Sequence, residues 1–184
     1  MANDGKNPNK VVTGKVRFAY QHVFKPSAFQ EGDDEKYSVT CIIPKKDKKT
    51  LTNINGVIDN LKEEAAKRSP GGKLPKKFEV FLHDGDEEKP DKEEFEDSFY
   101  VNPKSKTKPG VVDADLDPIL DSDEFYSGCY GRVSMTLFVY PKEGTPKGIS
   151  AFLNNVQKLD DGENLGGSGG SASDDFGDDD ALMR

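Results

Sequence analysis

The sequence predicts a mainly β domain, a small barrel or sandwich of about five strands with one α-helix packed across it and an acidic tail behind it. Three observations carry this. Apolar residues alternate with period two in several separate segments, the mark of half-buried strands. Residues 49–68 alone switch to spacings of three and four, the mark of one helix face. After Leu159 no apolar periodicity is left, and the chain runs out through Gly, Ser and Asp. The 184 residues fit one domain with sequence to spare. With 33% hydrophobic residues against 33% charged and no Trp, the core must be thin.

Residues 1–10 are polar, and a flexible N-terminus is expected there. In residues 11–24, Val12, Val16, Phe18 and Tyr20 share one parity, and Lys15, Arg17, Ala19 and Gln21 the other. Gly14 marks a bulge or bend in that strand. Residues 36–43 place Tyr37, Val39, Cys41 and Ile43 on one side, and Pro44 ends the strand. Leu51, Ile54, Ile58, Leu61 and Ala65 then line one face of the helix, with Asp47 or Thr50 as its cap. The run SPGGKLP at 69–75 stops it. Strands resume at 77–82 and, briefly, at 98–102, around a charged loop at 83–97. A basic loop (103–110) and an acidic loop (111–125) follow. The clearest strand is 130–140, with Gly131, Val133, Met135, Leu137 and Val139 on one face and Tyr130, Arg132, Ser134, Thr136, Phe138 and Tyr140 on the other. Residues 149–159 read as the last strand. The domain is expected over 11–160, and a disordered Gly/Ser/Asp-rich tail over 161–184.

The net charge is −8, from 26 basic and 34 acidic residues. As a sum it argues against a polyanionic partner; its distribution argues otherwise. Residues 160–184 hold eight acids and one base, leaving 26 acids and 25 bases in the body. Residues 1–82 carry 16 bases against 10 acids, and residues 83–97 nine acids against two bases. Cys41 and Cys129 sit in apolar surroundings and form no CxxC pair. They read as two buried thiols, with a disulfide as the alternative. No apolar run approaches the roughly 18 residues that cross a membrane, and the N-terminus has no apolar signal core, so no export is implied.

On the outer face of the 130–140 strand, aromatic rings alternate with a cation. Single-stranded nucleic acid requires this combination, a π-face for each base and positive charge for the backbone. The competing reading is a strand buried on both faces. Lys15 and Arg17 on the first strand and Lys104, Lys106 and Lys108 in the basic loop widen the positive surface, and Tyr100 and Tyr126 flank that loop in sequence. In the acidic loop, Asp113, Asp115, Asp117, Asp121 and Glu124 fall at liganding positions of an EF-hand calcium loop. Position six is Pro118 where such a loop needs Gly, and the flanks are not helical. The loop reads as solvated acid, and no metal or cofactor is expected. Asp113, Asp115 and Asp117 also supply the alternative function, a metal-dependent nuclease or resolvase, a chemistry that needs acids gathered from separate elements. His22 and His83 have no nucleophile or acid beside them in sequence, and no phosphate-loop, hydrolase or zinc pattern occurs. Nothing reads as catalytic. In the tail, Asp174, Asp175, Phe176, Asp178, Asp179 and Asp180 form a flexible anion with one apolar anchor. Such a peptide suits a basic groove, its own or a partner's.

The segments YSVTCIIPKKDKKTL (37–51), PGVVDADLDPI (109–119), YSGCYGRVSMTLFVYP (126–141) and KGISAFLNNVQKLDDGE (147–163), together with the acidic tail, resemble the phage-encoded single-stranded DNA-binding proteins of the OB-fold type. The likeness covers residues 11–160 and the character of the tail. It implies an OB-fold-like five-stranded barrel and sequence-independent binding of single-stranded DNA in phage DNA replication, recombination or repair. It also implies no enzymatic activity, a tail that contacts replication or recombination proteins, and a place in the cytoplasm of the infected bacterium. Monomer and dimer both fit. Tyr100, Tyr130, Arg132, Phe138 and Tyr140 are then expected to stack on bases, and Lys15, Arg17, Lys104, Lys106 and Lys108 to steer phosphates. Two features depart from the pattern. The helix follows the second strand, where the common OB barrel has it after the third. The chain ends Ala-Leu-Met-Arg, with Phe176 eight residues in, where related tails often end on an aromatic residue.

Overall fold

A computed structural model describes residues 7–28 and 30–165, and in it Gly14 breaks the first strand in two. β1 (Lys10–Val12) and β2 (Val16–Ser27) lie either side of the bend. The start of the helix fills the notch. The Gly14 N–H donates to Thr50 Oγ1 at 2.8 Å, and a Cβ on residue 14 would stand 2.8 Å from Asp47 Oδ2. The bend also switches which parity faces inward. Val11 is buried and Val12 is 46% exposed, whereas Val16 and Phe18 point into the core. A second irregularity lies between Ala19 and His22, where the pairing with the next strand shifts. There Tyr20 adopts a φ of 46° and turns outward. The expected inner face therefore holds only at Val16 and Phe18, because the strand is broken once before them and once after.

β3 (Lys36–Pro44) pairs antiparallel with β2. α1 (Lys48–Arg68) follows, and of the two candidate caps Asp47 is the one used, accepting the Thr50 N–H at 3.2 Å. Its buried stripe runs Thr50, Leu51, Ile54, Ile58, Leu61, Ala65. The strand expected at 77–82 shrinks to β4 (Glu79–Val80). The charged loop holds β5 (His83–Asp84), a single helical turn α2 (Gly85–Glu88) and a 3-10 turn at Glu93–Phe95, which drives Phe95 to full burial. β6 (Ser98–Val101) comes next. The basic and acidic loops each contribute a short strand that periodicity could not reveal, β7 (Lys104–Ser105) and β8 (Gly110–Val112). β9 (Tyr130–Tyr140) and β10 (Gly148–Asp160) form a long antiparallel hairpin.

The pairings make a closed circuit: β2 with β3, β3 with β7, β7 with β10, β10 with β9, and β9 back to β2. Counting β1–β2 and β6–β7 as one broken strand each, five strands form the OB-fold-like ring. α1 enters after the second of them. Phe18, Phe125, Ile43, Met135, Leu137 and Ile149 are fully buried in the core, joined by the helix stripe. Cys41 and Cys129 are both buried and free, and burial pushes both thiols up. Among the described residues no helix is long and apolar enough to cross a membrane. Residues 1–6 and the Asp-rich end of the tail lie outside the described residues.

Candidate nucleic-acid interface

The face of β2, β3 and β6 that turns away from the core carries its own small apolar cluster, Ala19, Ile42, Phe95 and Tyr100, with Leu165 packed against it. Ile42 and Tyr100 are there because they alternate with Cys41, Ile43 and Val101, which face inward. A cleft lies on each side of this cluster. One is lined by Lys15, Arg17, Lys46 and Tyr130, with Leu165 at its wall. The other is lined by Tyr20, His22, Lys36, Thr40, Asn102 and Lys104, with Phe95 at its wall.

In the first cleft Tyr130 is the centre. Lys15 Nζ lies 5.5 Å and the Arg17 guanidinium carbon 5.3 Å from its ring centroid, distances at which cations are drawn to the π-face. Lys15 is also paired with Asp160. Arg17 donates through Nε to the Gly128 carbonyl at 3.1 Å and through Nη2 to the Glu163 carbonyl at 2.8 Å. The start of the tail thus lies across this cleft. It is held at several points. Gly162 N donates to Tyr126 Oη at 3.1 Å, Lys158 Nζ pairs with Asp161 Oδ1 at 2.6 Å, and Leu165 N donates to the Ser127 carbonyl at 2.9 Å. The hydrogen bond from Lys158 holds the Asp161 carboxyl below its usual range. Gly128, at φ 119°, lets the Glu163 carbonyl approach where any Cβ would collide.

The second cleft keeps exposed charge. Lys36 and Lys104 have no carboxylate within ion-pair distance among the described residues, whereas Lys106 is paired with Asp34 at 3.1 Å. Tyr20, 45% exposed, stands at its edge. Tyr100 departs from the expected role. It is only 7% exposed, His83 stacks on its ring at 5.0 Å, and Phe95 meets it edge-on at 5.1 Å. Its ring is a wall of the cleft and presents no open stacking face, and burial pushes its phenol up.

A third surface shares Lys36, Asn102 and Lys104 with the second cleft and continues onto β9, where Phe138 and Tyr140 lie. Tyr140 lies over Gly148, its hydroxyl 3.2 Å from Glu79 Oε2, and burial raises its phenol. Arg132 is exposed and donates through Nε to the Thr13 carbonyl at 2.9 Å. Lys108 is exposed at the tip of the basic loop, away from the residues lining either cleft. The expected set therefore divides. Lys15, Arg17 and Tyr130 come together, Lys104 joins the second cleft to the third surface, and Phe138 and Tyr140 lie beyond it. Sequence reading missed Tyr20, His22, Lys36, Lys46 and Phe152. Tyr20 was hidden because it shares parity with Val16 and Phe18. Phe152 was legible, since Ala151 and Leu153 on either side of it face the core.

The acidic loop does not gather carboxylates. Asp113 Oδ1 accepts the N–H groups of Asp115 at 2.9 Å and Asp117 at 3.0 Å, closing a turn on itself. Among the described residues no three His, Cys, Asp or Glu side chains are grouped to hold a metal ion.

Comparison with known proteins gives a consistent result. The profile of the family described as "Enterobacter phage Enc34, ssDNA-binding protein" matches residues 9–182. A "Putative protein p50" of Acyrthosiphon pisum secondary endosymbiont phage 1 is 28% identical over 177 residues, covering 92% of this chain and 93% of that one. Among solved structures, the single-stranded DNA-binding protein of bacteriophage Enc34 in complex with ssDNA is similar with a TM-score of 0.69 and 27% identity, over 86% of this chain and 90% of that one. The gp2.5 single-stranded DNA-binding protein of bacteriophage T7 shares the fold, with a TM-score of 0.62 at 16% identity over 89% of this chain and 96% of its own.

Proposed function

The chain belongs to the Enterobacter phage Enc34 single-stranded DNA-binding protein family, and from that premise we propose that it binds single-stranded DNA without regard to sequence, as a binding protein and not an enzyme. The observation that carries the reading is Tyr130 flanked by Lys15 and Arg17 in a cleft crossed by the start of the tail, which DNA would displace. A base stacks on the ring while the two cations meet the phosphates on either side of it. Lys36 and Lys104 bring further cations to the second cleft, beside Asp33 and Asp34. That a relative 27% identical was solved with ssDNA bound supports the same ligand here. The biological setting is phage DNA replication, recombination or repair in the cytoplasm of the infected bacterium.

The tail belongs to the same reading. Residues 161–165 lie across the first cleft and engage Arg17, so the tail leaves the domain beside the proposed DNA site. It competes with the strand for the cations. Once displaced, Asp174, Asp175, Phe176, Asp178, Asp179 and Asp180 are free to meet a basic surface on a replication or recombination protein.

The test is fluorescence anisotropy of a labelled oligo-dT titrated with the protein at rising salt. Affinity should fall steeply, with a log–log slope near −0.7 for each phosphate neutralised. Binding that does not change with salt, or no binding, overturns the proposal.

A further inference from the structure

Beyond the charged clefts, the outer face of the β9–β10 hairpin holds a feature with no structural need to be exposed. Phe138 and Phe152 stack with ring centroids 4.1 Å apart and planes inclined by 20°. They are diagonal neighbours, since Phe138 pairs with Ser150 and Phe152 with Thr136. Both point away from the core, and Phe152 is 48% exposed. An open aromatic pair on a sheet is a surface awaiting an occupant. The charge beside it says which. Lys104 on β7 is the register partner of Phe152, so the two side chains rise on the same side of the sheet. Lys36 lies with Lys104 in the same surface recess as Phe138; Glu79 and Glu88 also line it, but they are engaged by Tyr140 and His83, and neither lysine has a carboxylate within ion-pair distance among the described residues. Lys36, Asn102 and Lys104 also line the second cleft. The recess and the cleft are therefore one continuous path over the two-residue seam at β7.

We propose that the Phe138–Phe152 pair is a second base-stacking platform, distinct from the one at Tyr130, and that Lys36 and Lys104 carry the DNA backbone across the seam to reach it. The inference rests on the single-strand-binding reading and deepens it. Phe152 offers its free ring to a base, while Phe138 backs it and fixes its angle. The bound strand then runs from the Tyr130 cleft past Tyr20 and His22, over Lys36 and Lys104, and ends on β10. A strand too short to make that journey never touches Phe152.

The experiment uses the full chain, as wild type and as Phe152→Ala, Phe152→Leu and Phe152→Tyr, with labelled dT oligonucleotides from about 4 to about 16 nucleotides, the range that a single OB fold accommodates. The shortest oligonucleotides should bind all four proteins equally. The longest should bind Phe152→Ala and Phe152→Leu roughly five- to a hundredfold more weakly, the loss of one stacked base, and Phe152→Tyr like the wild type. The leucine variant keeps apolar bulk without a π-face, so it separates stacking from packing. Equal loss at every length, or no loss at any, overturns the proposal. A lower sedimentation mass of Phe152→Ala without DNA also overturns it, since the pair would then join two copies of the chain. Failure of the wild type to bind dT at any length sinks the underlying reading itself.

Discussion

Arg17 illustrates how one side chain serves two masters. In the free protein its guanidinium donates to the carbonyls of Gly128 and Glu163 and lies near the Tyr130 ring. Any phosphate must win it from the Glu163 carbonyl. Arg17→Ala should therefore weaken oligo-dT binding less in the full chain than in a chain ending at residue 164, because only the full chain regains something when the anchor is lost. A double-mutant comparison by anisotropy reads the difference. Tyr130→Ala should cost about 1–3 kcal/mol of DNA affinity, the value of one stacked base. Tyr100→Phe should cost almost none, since it keeps the ring against His83 and Phe95 and removes only a hydroxyl 3.4 Å from Glu88. Asp161 gives a pH handle. Its carboxyl is held below the ordinary 3.8 by Lys158, so the support it gives the tail root is complete above that value and is lost as pH falls through the lower folded value. Asp161→Asn should speed amide exchange at residues 161–165 at neutral pH and have little effect in strong acid.

At the scale of elements, the ring closes where Val16 pairs with Gly131. A Cβ there would collide with the Gln157 carbonyl and come within 2.9 Å of the Phe18 ring. Gly131→Ala should destabilise the protein by about 1–3 kcal/mol, the usual range for overpacking, seen as a lowered urea midpoint. This glycine also shows what sequence can and cannot say. β9, β10 and α1 were legible almost to the residue, because long elements repeat their period many times before ending. Gly131 was placed correctly on the inner face, but not its role, which depends on a strand about 115 residues earlier in the chain. β7 and β8 were invisible for a related reason. Two or three residues carry no period, and their extended shape is imposed by β3 and β10. The 83–97 segment read as charged loop because nine acids conceal one Phe95, whose burial gives it a fixed course over the outer face. Of the candidate interface, the grouping of Lys15, Arg17 and Tyr130 follows from residues legible in the sequence, whereas the outward turn of Tyr20 depends on an irregularity in the first strand that no period reveals.

For the whole molecule, the net charge of −8 says less than its layout. Most of the imbalance belongs to the last 25 residues, and the body is nearly neutral, with Lys36 and Lys104 shared between the second cleft and the third surface. Removal of residues 165–184 should tighten oligo-dT binding at low salt and make little difference at high salt, where screening already weakens the tail. Unchanged or weaker binding at low salt would count against self-competition. The closed circuit of strands has a consequence of another kind. Thr13 Oγ1 accepts from Val133 N across 120 residues of sequence, and the ring needs β10 before either of its last two seams can form. On the ribosome, at roughly 5–20 residues per second, β1 waits on the order of ten seconds for its partner β9, whereas β2 and β3 can pair early. Until β10 emerges, β7 and β9 each keep an unpaired edge, so the ring that carries the proposed DNA path is completed by a single late strand and by nothing earlier.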